Sequence, residues 1–121
     1  THDMSTLRGY WKENKEVTER YYHYELGHWG DVPEDAPGWL CKDIISRHLH
    51  SPSLLCIITW QDWTSMDESL RNPDIDIERI NVPANPRHYW RWRMHVTLEE
   101  LMKNDEFNEE IRTMIADSDR L

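Results

Sequence analysis

Three short clusters in this chain carry residue types that can do chemistry together. His2-Asp3 sets a neutral hydrogen-bonding ring beside a carboxylate. Gln61-Asp62 pairs an amide with a second carboxylate directly after an apolar run. Arg79-Ile80-Asn81-Val82-Pro83 presents a guanidinium and an amide in a proline-stiffened turn, ahead of Trp90-Arg91-Trp92-Arg93. Glycosyl transfer needs this inventory: carboxylates to act as nucleophile and acid, and polar groups to hold hydroxyls and steady an oxocarbenium-like transition state. With 23 Asp and Glu in the chain, a chance pair of acids carries no weight, so position decides.

Composition narrows the partners. The net charge is -9 and 31% of residues are charged, which makes duplex nucleic acid and anionic membranes poor partners. Seven Trp and five Tyr stand against one Phe. Such rings offer a flat apolar face and a polar tip, which suits flat, half-wet ligands such as sugar rings. Cys41 and Cys56 lie in apolar runs and read as reduced thiols of a cytoplasmic protein. No apolar run approaches the ~20 residues of a membrane span. Neither His23 with His28 nor His48 with His50 has the helical spacing of a two-histidine metal site, so no metal is expected. Asp74, Asp76 and Glu78 lack the glycine of a calcium loop and read as solvated charge.

The elements that position these residues follow from pattern. Ser53 to Trp60 encloses Leu54, Leu55, Cys56, Ile57 and Ile58 without alternation, which predicts a buried strand over about 53–60 with Gln61-Asp62 at its tip. Leu40, Cys41, Ile44, Ile45 and Leu49 predict the amphipathic helix before it. Ser5 or Thr6 caps a short helix through Trp11, and Val17, Tyr21 and Tyr24 mark a helical stripe ended by Gly27. A short helix is expected over 62–70. Thr97 and Glu100 form a capping box, and Asn104 or Asp105 caps a last helix with Phe107, Ile111, Met114 and Ile115 inward. Residues 1–121 read as a single segment: an α/β chain, mostly helical, with one buried strand whose sheet partners lie outside it.

Taken together, Thr1-His2-Asp3, Leu7-Arg8-Gly9-Tyr10-Trp11, Gln61-Asp62, Arg79-Ile80-Asn81-Val82-Pro83 and Trp90-Arg91-Trp92-Arg93 resemble, in order and spacing, the carboxyl-terminal end of the 4-α-glucanotransferases, the amylomaltase or disproportionating-enzyme family. The stretch Asn72 to Glu78 resembles the longer, plant-cytosolic branch. The resemblance implies the last βα units of a (β/α)₈ TIM barrel, with residues 53–60 as strand eight. It implies a retaining glycosyltransferase that moves α-1,4-glucan segments of starch or maltodextrin between acceptors, without a cofactor. Asp3 then matches the third catalytic carboxylate, and His2, Gln61, Asp62, Arg79 and Asn81 match substrate-binding positions. The nucleophile and acid/base match no residue here, so the chain alone is expected to be inactive. An unpaired strand edge would also make it self-associate. Two other classes compete: a carbohydrate-binding module with an aromatic platform, and a helical interaction domain. On their own, Trp90 and Trp92 read as core residues, and Asp3 as a carboxylate at a helix N-terminus.

Overall fold

A computed structural model describes residues 3–120, and within them every regular element is helical. The order is α1 (Leu7–Glu13), α2 (Lys15–Arg20) running into a π-helical turn (Tyr21–Glu25), α3 (Gly38–Leu49), α4 (Trp60–Ser65), a 3₁₀ turn (Asp76–Glu78), α5 (Leu98–Lys103) and α6 (Asp105–Asp117).

The helices begin where side chains can satisfy the unpaired first-turn amides. Thr6 accepts from the Gly9 amide, Asn14 from Val17, Thr59 from Asp62 and Asn104 from Phe107. At α5 the box is complete: the Glu100 amide donates to Thr97 Oγ1, and the Thr97 amide donates to the Glu100 carboxylate. Two bonds from Thr97 hold the Glu100 carboxyl below its usual value.

The centre of the packing is α3. Leu40, Cys41 and Ile44 join Trp11, Tyr22, Leu26 and Ala36 on one side. Ile45 and Leu49 join Met66, Phe107 and Met114 on the other. All five positions expected to face inward on this helix are buried. The expected Val17–Tyr21–Tyr24 stripe holds only at Tyr21, which packs part-buried against the core; Val17 and Tyr24 face solvent, while Thr18, Tyr22 and Leu26 are buried. Trp11 decides this. Its buried ring meets Tyr22 edge-on at 6.2 Å, and the Thr18 hydroxyl donates to the Trp11 carbonyl at 2.8 Å.

The predicted strand is not present. Residues 55–59 take no regular structure, and the described residues contain no strand and therefore no barrel stave. Leu54, Leu55 and Ile57 are 92%, 77% and 87% exposed, while Cys56 and Ile58 rest against the Phe107 cluster. A strand is defined by a hydrogen-bonded neighbour, and none lies alongside this run. Thr59 instead turns the chain into α4, so Gln61 and Asp62 occupy a first helical turn rather than a strand tip. Without a strand edge, self-association by strand pairing has no basis among these residues.

Two arginines tie the loops down. Arg8, 3% exposed, donates to both carboxylate oxygens of Asp35 (3.3 and 2.9 Å) and to the Asn72 carbonyl (2.6 Å). That joins α1 to the loop before α3 and to the loop after α4. Arg120 donates to the carbonyls of Leu49, Ser51 and Ser53 at 2.5 to 3.0 Å, fastening the chain's end to the exit of α3.

Candidate functional site

Polar residues singled out in the sequence converge from positions far apart in the chain, 3 and 79–81. Asn81, 8% exposed, donates from Nδ2 to the Asp3 carboxylate at 2.7 Å. Arg79 donates from Nε to the Asn81 carbonyl (2.8 Å) and from Nη2 to the Asp3 carbonyl (3.3 Å). Its Nη1 lies 3.7 Å from Glu13 on α1, whose carboxylate also accepts from the Ser5 hydroxyl. Arginine suits this position because its planar fork can address three acceptors at once.

Local sequence explains how Asn81 is held. Residues 82–88 form two consecutive turns, the Asn85 amide donating to Val82 (2.9 Å) and the His88 amide to Asn85 (3.1 Å). The His88 ring nitrogen Nε2 lies 3.0 Å from the Ile80 carbonyl, so Nε2 carries the proton. These turns bring Trp90 back over Asn81, and its indole N–H donates to Asn81 Oδ1 at 2.6 Å. One amide therefore orients a carboxylate on one side and an indole on the other. The Trp90 ring is 74% exposed, on the surface rather than in a core. Beside it the Arg91 guanidinium lies 5.0 Å from the centre of the Tyr89 ring.

Gln61 and Asp62 stand behind this cluster. Gln61 is buried and donates from Nε2 to the Glu78 carbonyl at 3.3 Å, one residue before Arg79. Asp62 accepts from the Leu7 amide at 2.8 Å and so helps cap α1. Asp3, Arg79 and Asn81 are therefore in direct contact, whereas Gln61 and Asp62 hold the backbone on which they sit. His2 lies outside the described residues.

Glu78 corrects the reading of 72–78 as solvated charge. Asp74 and Asp76 are exposed, and the loop is shaped by two successive short turns, the Asp74 amide donating to the Asn72 side chain and the Asp76 amide to the Asp74 carboxylate. Glu78 is 5% exposed, and burial raises its carboxyl above the usual value against the opposing pull of His95, 3.8 Å away. At Asp35 burial also pushes upward, but the hydrogen bond and charge of Arg8, with Arg71 and Lys12, leave the carboxyl below its usual value. The sequence signal for Glu78 was its i, i+2 register with Asp74 and Asp76, which sends the last acid inward only once the 3₁₀ turn forms. Trp90 had a signal too, the polar, turn-rich sequence on both sides of it. Among the described residues no group of three His, Cys, Asp or Glu is arranged to hold a metal.

A carboxylate, an arginine, a buried amide and an exposed indole, gathered from residues 3 to 90, make a polar cluster with an aromatic wall. Comparison with known proteins identifies the class of the chain. Residues 1–99 match the family model described as 4-alpha-glucanotransferase, and the chain belongs to that family. It is 32% identical over 119 residues to 4-alpha-glucanotransferase DPE2 of Oryza sativa subsp. japonica, covering 98% of this chain and 13% of that protein. It is 29% identical over 98 residues to 4-alpha-glucanotransferase DPE1, chloroplastic/amyloplastic, of the same organism, covering 78% of this chain and 14% of that protein. The chain thus spans a small part of the length of these relatives. No solved structure matches it.

Proposed function

We propose that this chain takes part in the transfer of α-1,4-glucan segments between acceptors in starch or maltodextrin metabolism, and that the Asp3–Asn81–Arg79 cluster meets the sugar. The observation that carries this reading is the 2.7 Å bond from Asn81 to the Asp3 carboxylate, which brings together two residues 78 apart that both lie within the family match. Asp3 grips hydroxyls of the reacting glucose and steadies the positive charge of the transition state. Asn81 fixes the plane of that carboxylate, with Arg79 holding the backbone of both. His2, next to Asp3, bonds the same sugar. Gln61 and Asp62 keep the cluster's floor in register.

Retaining transfer proceeds by double displacement and requires a nucleophile and an acid/base besides this carboxylate. The 121 residues alone are therefore expected to show no turnover. A cytoplasmic setting belongs to the same reading and is supported by the free thiols of Cys41 and Cys56. Recovery of the tagged protein in a plastid or secreted fraction would exclude it.

The test is disproportionation of maltotriose, followed as released glucose, in the complete polypeptide that carries these residues. Asp3→Asn is expected to lower kcat by at least a hundredfold with folding intact, in line with loss of one transition-state partner. Asp3→Asn with unchanged turnover, or turnover by the isolated chain, would sink the assignment.

A further inference from the structure

A second aromatic surface, sharing no residue with the Asp3 cluster, lies where the π-helical turn meets α3. Trp29 is 87% and Trp39 52% exposed. Between them the rings pack edge-on or tilted in a series that runs beneath the surface through the buried Tyr22. Trp29 lies 6.4 Å from His23, His23 lies 5.4 Å from Tyr22, Tyr22 lies 5.2 Å from His28, and His28 lies 5.1 Å from Trp39.

The loop that presents Trp29 is pinned. Gly27 and Gly30 on either side of it take φ values of 72° and 91°, which residues with a Cβ rarely adopt. The His28 amide donates to the Tyr22 carbonyl (3.0 Å), and His23 Nδ1 lies 2.8 Å from the His28 carbonyl. Trp29 is thus held outward by a bonded backbone.

The rim is polar and balanced. Asp43 lies 3.9 Å from His28 Nε2, a buried ring nitrogen with no hydrogen-bond partner, and 3.4 Å from Arg47, which neutralises it. The contrast is the patch at Leu54, Leu55 and Ile57, which is aliphatic and carries no polar tips. Two exposed indoles, one on a stiff loop and one on α3, edged by a carboxylate and a guanidinium, fit a neutral ligand with apolar faces and peripheral hydroxyls. The net charge of -9 disfavours a polyanion.

We propose that the Trp29–Trp39 ledge is an auxiliary binding surface for α-1,4-glucan chains, separate from the Asp3 cluster. The choice of glucan rests on the function proposed above; the ledge itself rests on its own geometry. It holds a strand of glucan by ring stacking, with the half-exposed Asp43 and Arg47 at the rim available to hydroxyls.

The test is a titration of the ¹⁵N-labelled chain with maltoheptaose, read at the indole N–H resonances of its seven tryptophans, with Trp29→Ala and Trp39→Ala for assignment. Saturable shifts are expected at Trp29 and Trp39. Each alanine variant should weaken binding about tenfold, the size expected of one lost stacking ring. Because both side chains are exposed, far-UV circular dichroism should stay unchanged in the variants. Signals of Trp29 and Trp39 that stay still up to about 10 mM sugar, ten times a millimolar Kd, would overturn the proposal. So would shifts that follow protein concentration instead of sugar, because those mark contact between copies of the chain. Trp90 and the Asp3→Asn assay report separately on the Asp3 cluster, so either reading can fail alone.

Discussion

The indole N–H of Trp90 and the side-chain oxygen of Asn81 are 2.6 Å apart, and this bond closes the polar cluster from its exposed side. Trp90→Phe keeps the ring and deletes the donor, leaving a buried amide oxygen short of a partner. The expected loss is about 1 kcal/mol in urea unfolding, the usual net worth of one hydrogen bond. An unchanged midpoint would show that the bond contributes nothing in water.

Arg8→Met should be among the most damaging single changes. It removes a guanidinium that is 3% exposed, takes the donor from the Asn72 carbonyl and leaves Asp35 to the more distant Arg71, 3.8 Å away. A broken buried pair costs about 3–5 kcal/mol; Asp35 retains some access to water, so the lower end, about 3 kcal/mol, is expected. By comparison, Lys15→Ala removes an exposed pair with Glu19 and should change stability by no more than about 0.5 kcal/mol. Equal effects from the two variants would refute this ranking.

Two buried-side carboxyls give opposite pH signatures. Glu78 has its folded value raised, first by burial. Its contribution is fully present below the ordinary carboxylate range and is lost as pH rises through the folded value. Glu78→Gln should therefore raise Tm at pH 8, and the gain should vanish below about pH 4. At Asp35 burial is outweighed by Arg8 and the folded value is lowered, so its contribution is present above the ordinary range and disappears as pH falls through the folded value. Asp35→Asn should lower Tm at neutral pH and converge with the parent in acid. Parallel Tm–pH curves for either variant and the parent would contradict the corresponding assignment.

Gly38→Ala tests the approach of α3 to the end of α4. A Cβ there would sit 2.4 Å from the Met66 carbonyl oxygen, a backbone atom that cannot rotate away. The first turn of α3 must shift, at about 1–3 kcal/mol. A variant as stable as the parent would show that the two segments are looser than this contact implies.

The helices were legible because their signals are local. The apolar positions of α3, the Thr97–Glu100 box and the Asn104 cap each lie within one or two turns of chain. The run Leu54 to Ile58 misled because five apolar residues specify burial only when something covers them, and strand pairing is a property of the neighbour. The Val17–Tyr21–Tyr24 stripe misled in another way. Two stripes one residue apart have similar composition, and the choice between them is made by Trp11 packing on Tyr22 and Leu26 from another element. At the site, Asp3, Arg79 and Asn81 were readable as types, but their convergence depends on the turns at 82–88, and Glu78 turns inward only with the 3₁₀ turn. Trp90 read as core because its amphipathic ring is compatible with either environment, and the bond that keeps it at the surface reaches back nine residues.

Because Leu40, Cys41 and Ile44 serve one cluster while Ile45 and Leu49 serve the other, a single twelve-residue cylinder is common property of both halves of the molecule. Neither half can melt and leave the other whole. The hydrogen-bonded amides of this central rod should be the last to exchange with heavy water, and they should share one opening free energy along its length.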